Sequence, residues 1–183
     1  LFLFFVPVSC VQKRLGINNN IIYRNGMVVC AYPDAAQVGL DILKKGGNAV
    51  DAAVAVQFAL AVTLPEAGNI GGGGFMVYRS KTGESNTLDF REKGPAAANV
   101  NMYLDSAGNV IPNMSLYTHK ASGVPGSVDG MVQAHSKYGK LKWADLVQPA
   151  LDLARNGFKI TKHLAADLNH TSGQFKKLNP GKT

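Results

Sequence analysis

The sequence predicts a layered α/β chain with too little sheet of its own to close a core, and three observations carry that expectation. Short β-branched and apolar runs at 27–31, 75–78 and 87–90 have the length of strands. Apolar residues recur at helical spacing through most of the remainder, and glycines and prolines mark each change of period. The resulting order is strand, helix, helix, hairpin and then helices, which suits mixed layers with the missing strands contributed from elsewhere.

Met27 to Ala31, bounded by Gly26 and Pro33, reads as a buried strand. Asp34 can cap the helix that follows, in which Val38, Ile42 and Leu43 share a face before Gly46-Gly47 ends it. Asn48 caps a second helix, with Asp51 three residues on, where the positive end of the macrodipole favours a carboxylate. From Ala49 to Val62 that helix is almost wholly small and apolar, so it must be buried on most sides, and Pro65 marks its end.

Next, Gly71 to Gly74 feed the strand Phe75-Met76-Val77-Tyr78. A turn at Lys81 to Glu84 and the strand Thr87 to Phe90 complete a hairpin that delivers Arg91 and Glu92 at its end. Residues 103–112 form a turn-rich piece around Gly108. Pro125-Gly126 opens a third helix whose Val128, Met131, Val132 and His135 share a face, ending at Gly139. Trp143 to Ala154 is helical in pattern, with Pro149 opening a new helix after a short one and Gly157 as the stop; Thr161 caps a last helix.

The composition is that of a globular chain, 46% apolar and 17% charged over 183 residues, a length that buries roughly two-thirds of the unfolded surface when whole. Nineteen basic against twelve acidic residues give +7. The basic residues come at most in pairs, such as Lys44-Lys45 and Lys176-Lys177, without interleaved aromatics or a nucleic-acid motif. A solvated surface accounts for the charge, and no nucleic-acid partner is expected.

The two cysteines, Cys10 and Cys30, lack the spacing of a zinc site or a disulfide framework, and Cys30 reads as a small buried hydrophobe. His119, His135, His163 and His170 are not paired at metal-ligand spacing, so no metal or other cofactor is expected; His135 and Trp143 read as packing residues. Asn169-His170-Thr171 has the form of a glycosylation acceptor.

Leu1 to Val8 is almost wholly apolar yet too short to span a bilayer. It resembles the tail of a secretory signal peptide lacking its start, which makes residues 1–25 the remnant of an export signal with an N-terminal extension and 26–183 the folded part. Export to the periplasm or the extracellular space follows. Ser9-Cys10 also resembles a lipoprotein processing site, with lipid attachment at Cys10 as the second reading, although Pro7 stands where that pattern has leucine.

Two features could carry chemistry. A glycine run can bring backbone N–H groups to an anion, but phosphate loops lead from strand to helix, whereas this one leads from helix to strand; close backbone packing is the alternative role. Within Asp89-Phe90-Arg91-Glu92, Arg91 at a strand end can hold a carboxylate through two parallel hydrogen bonds. The same spacing also suits a surface arginine bridged to Asp89 or Glu92.

The runs Gly47-Asn48-Ala49-Val50-Asp51-Ala52-Ala53-Val54-Ala55, Ala67 to Met76, Asp89-Phe90-Arg91-Glu92, Ala121 to Val128, Gln148-Pro149-Ala150 and Leu153 to Phe158 are similar in order and spacing to the γ-glutamyltranspeptidase family, over about residues 26 to 160. The part resembled is the N-terminal portion of the heavy subunit. The resemblance implies an N-terminal nucleophile hydrolase with an αββα sandwich, incomplete in this chain, made as one precursor that cleaves itself into heavy and light subunits. It also implies a threonine beyond Thr183, freed at the new N-terminus, whose α-amino group serves as base for its own hydroxyl in attacking a γ-glutamyl amide. The acyl-enzyme would pass to water or to an amino acid or dipeptide acceptor. The implied substrates are glutathione and other γ-glutamyl compounds, and the implied partner is the light subunit.

On this resemblance Arg91 grips the α-carboxylate of the γ-glutamyl group, with Glu92 in a supporting role, and no catalytic residue lies in this segment, which alone would be inactive. Lys93-Gly94 departs from the family's more usual uncharged pair before Pro95, which puts the local turn in question. A cephalosporin or glutaryl acylase on the same scaffold, or a noncatalytic degenerate relative, is the alternative.

Overall fold

The computed structural model describes residues 25–68 and 70–181. The export, lipid-attachment and Thr183 expectations, and Asn69 of the glycine motif, therefore lie outside the described residues. The elements in order are α1 (Pro33–Lys44), α2 (Ala49–Thr63), β1 (Phe75–Arg79), β2 (Ser85–Asp89), the one-turn α3 (Met114–Tyr117), a 3₁₀ turn (His119–Ala121), α4 (Ser127–Tyr138), α5 (Trp143–Asn156) and α6 (Lys162–Leu178).

Helix α2 is the centre of the fold, as its all-round apolar sequence demands. Val50, Ala52, Val54, Ala55, Val56 and Ala59 are buried, and α1, α4 and α5 pack around it. Its start is over-determined: Asn48 Oδ1 accepts the Val50 and Asp51 amides at 2.9 and 3.0 Å, and Asp51 Oδ2 accepts the Asn48 amide at 2.9 Å, a reciprocal capping box. Ile42 from α1, Met131 and Ala134 from α4 and Leu146 from α5 fill the space around it. Trp143 meets Phe58 edge-to-face at 5.6 Å, in the packing role expected of it.

Strands β1 and β2 form a two-stranded antiparallel hairpin in which Phe75 faces Asp89 and Met76 faces Leu88. The pleat sorts its residues: Met76, Tyr78 and Leu88 pack inward against the α2–α4 core, whereas Phe75 and Val77 stand exposed, Val77 at 83%. Tyr78 stacks on Tyr138 of α4 at 4.2 Å, which fastens the hairpin to the helical layer.

Four expectations are corrected. Residues 27–31 form no strand among the described residues, because a strand exists only with a partner and none adjoins them; Met27 and Val29 are exposed. Asp34 is not the cap of α1: Tyr32 is, with Pro33 in the first turn, where the missing N–H costs nothing, and Asp34 just after it. Of the face expected for α4, Met131 is buried and His135 half-buried, but Val128 and Val132 are exposed; Ser127, Gly130 and Ala134 complete the buried side, small residues that allow the hairpin to come close. Pro149 lies inside one continuous α5, which runs on despite the lost hydrogen bond with Leu146 and Ala150 buried on either side of it.

Candidate functional site

The two motifs singled out above meet a third in space. Gly74 offers its carbonyl to the Phe90 amide at 3.0 Å, just past the paired strands. Gly72 offers its carbonyl to the Gly126 and Ser127 amides, at 2.8 and 3.0 Å, and so supplies from the glycine loop the cap that α4 lacks a side chain to make. On the far side Lys93 and Val124 exchange both backbone hydrogen bonds, at 3.1 and 2.8 Å. The exit of β2, the glycine loop and the segment leading into α4 are therefore laced into one backbone unit. The Lys93-Gly94 departure leaves this stretch fixed, because the Lys93 main chain is paired with Val124 while its side chain is exposed.

The glycines are required by proximity. A Cβ at Gly73 would stand 2.7 Å from the Arg91 Cα and 2.5 Å from the Glu92 nitrogen, and one at Gly126 would stand 3.1 Å from the Arg91 carbonyl oxygen and collide with that of Phe90. Close backbone packing, the alternative weighed for the run, is its role in this structure. The amides of Gly126 and Ser127 point at Gly72 rather than at a free anion.

Arg91 is held at this junction. Its amide donates to Asp89 Oδ1 at 3.0 Å, which fixes the direction in which the chain leaves the strand. Its guanidinium lies 5.9 Å from the Phe75 ring centroid and 3.6 Å from Glu92 Oε1, with the side chain 61% exposed. The Arg91–Glu92 pair is loose and solvated, and such pairs contribute about 0–1 kcal/mol. Both readings of the sequence thus have their geometry here: a surface ion pair, and a guanidinium whose donors are open to a ligand acid.

A second polar centre was legible only in part. Asp51 is fully buried, and beyond its capping role its Oδ1 accepts the Lys140 amide at 2.9 Å and the Leu141 amide at 3.3 Å. His135 joins it, with Nε2 2.8 Å from the Leu141 carbonyl and 3.9 Å from Asp51 Oδ1, and its ring lies 5.4 Å from that of Trp143. This is a buried scaffold joint between α2 and the turn after α4, so His135 is a packing residue as expected. The chain gave the cap away through the Asn48-x-x-Asp51 spacing, but nothing local pointed to residues 140 and 141.

Elsewhere, the Asn109 amide, helped by the Asn109 side chain and by the Ala107 and Gly108 amides against a little desolvation, holds the Asp105 carboxyl below the ordinary aspartate value in its exposed turn. Cys30 is half-buried, with Sγ 3.2 Å from the Tyr32 carbonyl. Among the described residues no three His, Cys, Asp or Glu side chains gather into a metal cluster, and no helix is long and apolar enough to cross a membrane.

Comparison with known proteins bears on this arrangement. The family model for gamma-glutamyltranspeptidase matches residues 35–182. The glutathione hydrolase proenzyme of Escherichia coli (strain K12) is 55% identical over 145 residues, covering 79% of this chain and 25% of the relative. Among solved structures, the gamma-glutamyltranspeptidase of Helicobacter pylori superposes with a TM-score of 0.82 at 47% identity, over 85% of this chain and 45% of that one. The cephalosporin acylase of Bacillus halodurans gives 0.78 at 30% identity over 98% of this chain and 33% of that one. The expected fold class is the one these neighbours share, an α/β piece of an N-terminal nucleophile hydrolase. The chain spans about a quarter of the length of the curated relatives it matches. Resemblance in motif, in sequence and in three-dimensional structure converge on the same conclusion: this chain belongs to the γ-glutamyltranspeptidase family.

Proposed function

We propose that this chain contributes the carboxylate-recognition edge of an enzyme that transfers or hydrolyses γ-glutamyl groups, with glutathione and related γ-glutamyl amides as donors. Arg91 takes the donor's α-carboxylate and Glu92 steadies the guanidinium. One observation carries the reading: Arg91 sits where the β2 exit, the glycine loop and the α4 entry are tied together, yet its guanidinium is engaged by nothing stronger than a loose pair at 3.6 Å and the Phe75 ring at 5.9 Å. A rigid backbone beneath open donors favours bidentate capture of a planar acid.

In this reading the reaction proceeds through an acyl-enzyme on a threonine supplied by sequence outside this chain, whose own α-amino group takes the hydroxyl proton. Water gives hydrolysis, and an amino acid or dipeptide amine gives transfer. The light subunit of the same precursor is the partner that brings the nucleophile, and residues 26–183 alone are inactive. We also read residues 1–25 as an export signal and N-terminal extension on the apolar run Leu1 to Val8, which puts the enzyme in the periplasm or outside the cell, with lipid attachment at Cys10 as the variant form.

The test is Arg91→Ala and Arg91→Lys in the full-length precursor, with self-cleavage followed on gels and turnover of a γ-glutamyl anilide measured. Both variants should process, and Ala should raise KM by about a hundredfold, in line with the ~2–5 kcal/mol lost when one partner of a hydrogen-bonded charge pair is truncated. Lysine should recover only part, lacking the fork. An unchanged KM in processed Arg91→Ala would remove the assignment.

The likeness to a cephalosporin acylase over nearly the whole chain gives a second reading, deacylation of glutaryl amides on the same scaffold. Competing glutathione against a glutaryl amide separates the two. A glutaryl group keeps that carboxylate and lacks only the α-amine, so Arg91→Ala should weaken both donors, and preference for the amine-bearing one is what discriminates.

A further inference from the structure

The side chain preceding Arg91 is held more tightly than Arg91 itself. The Phe90 ring lies between two glycines from different elements: a Cβ at Gly74 would come within 2.9 Å of Phe90 Cε2, and one at Gly130 within 2.5 Å of Phe90 Cβ, 2.6 Å of Cδ1 and closer still to Cγ. Gly130 is buried in α4, one turn beyond the Gly126 and Ser127 amides that Gly72 caps. The ring also borders a small apolar cavity that it shares with Val54, Phe75 and Met131. Phe90 thus stands where strand, loop and helix converge, and the next residue is the guanidinium-bearing one.

We propose that Phe90, seated in the notch made by Gly74 and Gly130, is a positioning residue that sets where the Arg91 guanidinium meets the donor carboxylate. The proposal rests on the Arg91 reading above and deepens it. Backbone hydrogen bonds fix the path of the β2 exit, and a planar ring trapped on two sides sets how closely that exit seats against α4; a bidentate contact tolerates little displacement. The notch exists only because both walls lack a Cβ; an alanine at 130 must push the ring, and the ring is covalently next to Arg91.

The experiment is a cycle of Gly130→Ala, Phe90→Leu and the double variant in the full-length processed protein, with Arg91→Ala alongside. KM and kcat are read for a γ-glutamyl anilide and for its α-carboxamide counterpart, used as substrate or competitor. Each single change should raise the anilide KM on the order of tenfold with kcat within about twofold, and leave the carboxamide unchanged. The double variant, which restores space where volume was added, should recover most of the loss. Equal weakening of both compounds, or a fall in kcat alone, would overturn the proposal, because a general packing defect does not distinguish the acid from its amide. If Gly130→Ala does not accumulate folded, Phe90→Leu decides by the same selective rise or its absence. Should Arg91→Ala leave the anilide KM unchanged, the underlying reading fails; should it raise KM while Phe90→Leu and Gly130→Ala do not, only the positioning role fails.

Discussion

Asp51 shows how much one residue can carry. Its carboxylate is removed from water and accepts amides from residues 48, 140 and 141, so it is at once the cap of α2 and the tie to the turn after α4. Truncation would leave buried donors unmatched as well as unwinding the cap. Asp51→Ala is expected to cost about 3 kcal/mol or more, and Asp51→Asn less, since the amide keeps one acceptor oxygen. Urea denaturation of the folded protein measures both. Arg91 is the opposite case, exposed and loosely paired, so its substitution should alter binding and leave the melting temperature nearly unmoved. Sequence spacing made the Asn48–Asp51 box legible, because it is a local pattern, whereas Arg91 was singled out by its strand-end position together with the family resemblance. Spacing could not locate Phe90, whose notch is built from glycines 16 residues before it and 40 after it, positions with no side chain to read.

At the scale of elements, helices with strong end signals were legible. Asn48, Thr161 and Gly157 each mark a boundary the structure keeps: Thr161 Oγ1 accepts the Leu164 amide at 3.1 Å, and Gly157 closes α5 at φ 79°, ψ 170°. That backbone region is open to glycine almost alone, and a Cβ there would meet nothing within 4 Å. The cost of Gly157→Ala is therefore purely torsional, expected at about 1–3 kcal/mol and measurable as a lowered urea midpoint at unchanged slope. Misread elements failed for one shared reason: tertiary partners overrode local rules. Leu146 and Ala150 are buried where α5 runs on through Pro149, and the want of a neighbour leaves 27–31 unpaired despite its strand composition. In α4 Met131 is buried as its apolar character suggests, but the rest of the buried face is Ser127, Gly130 and Ala134, residues that a search for large apolar side chains passes over.

For the molecule as a whole, layered α/β architecture was readable from the alternation of periods, and the shortage of strands was readable too. What no local pattern announced was that the glycine loop, the β2 exit and the approach to α4 would share one backbone network, since their union joins segments as far apart in the chain as Gly72 and Ser127. The hairpin remains open on its outer face, where Phe75 and Val77 are exposed.

The tie from Asp51 to Lys140 joins positions 89 apart, and every residue of the proposed recognition edge lies between its ends. It works as a clasp on a purse. Scission by a protease in the exposed stretch 94–100 would leave two pieces still gripped by this clasp and by the α2–α4 core, so they should co-elute under native conditions and part only in denaturant. Closing so wide a loop costs only logarithmically more than closing a short one, so a tie across 89 positions secures the edge at little more chain entropy than a local one.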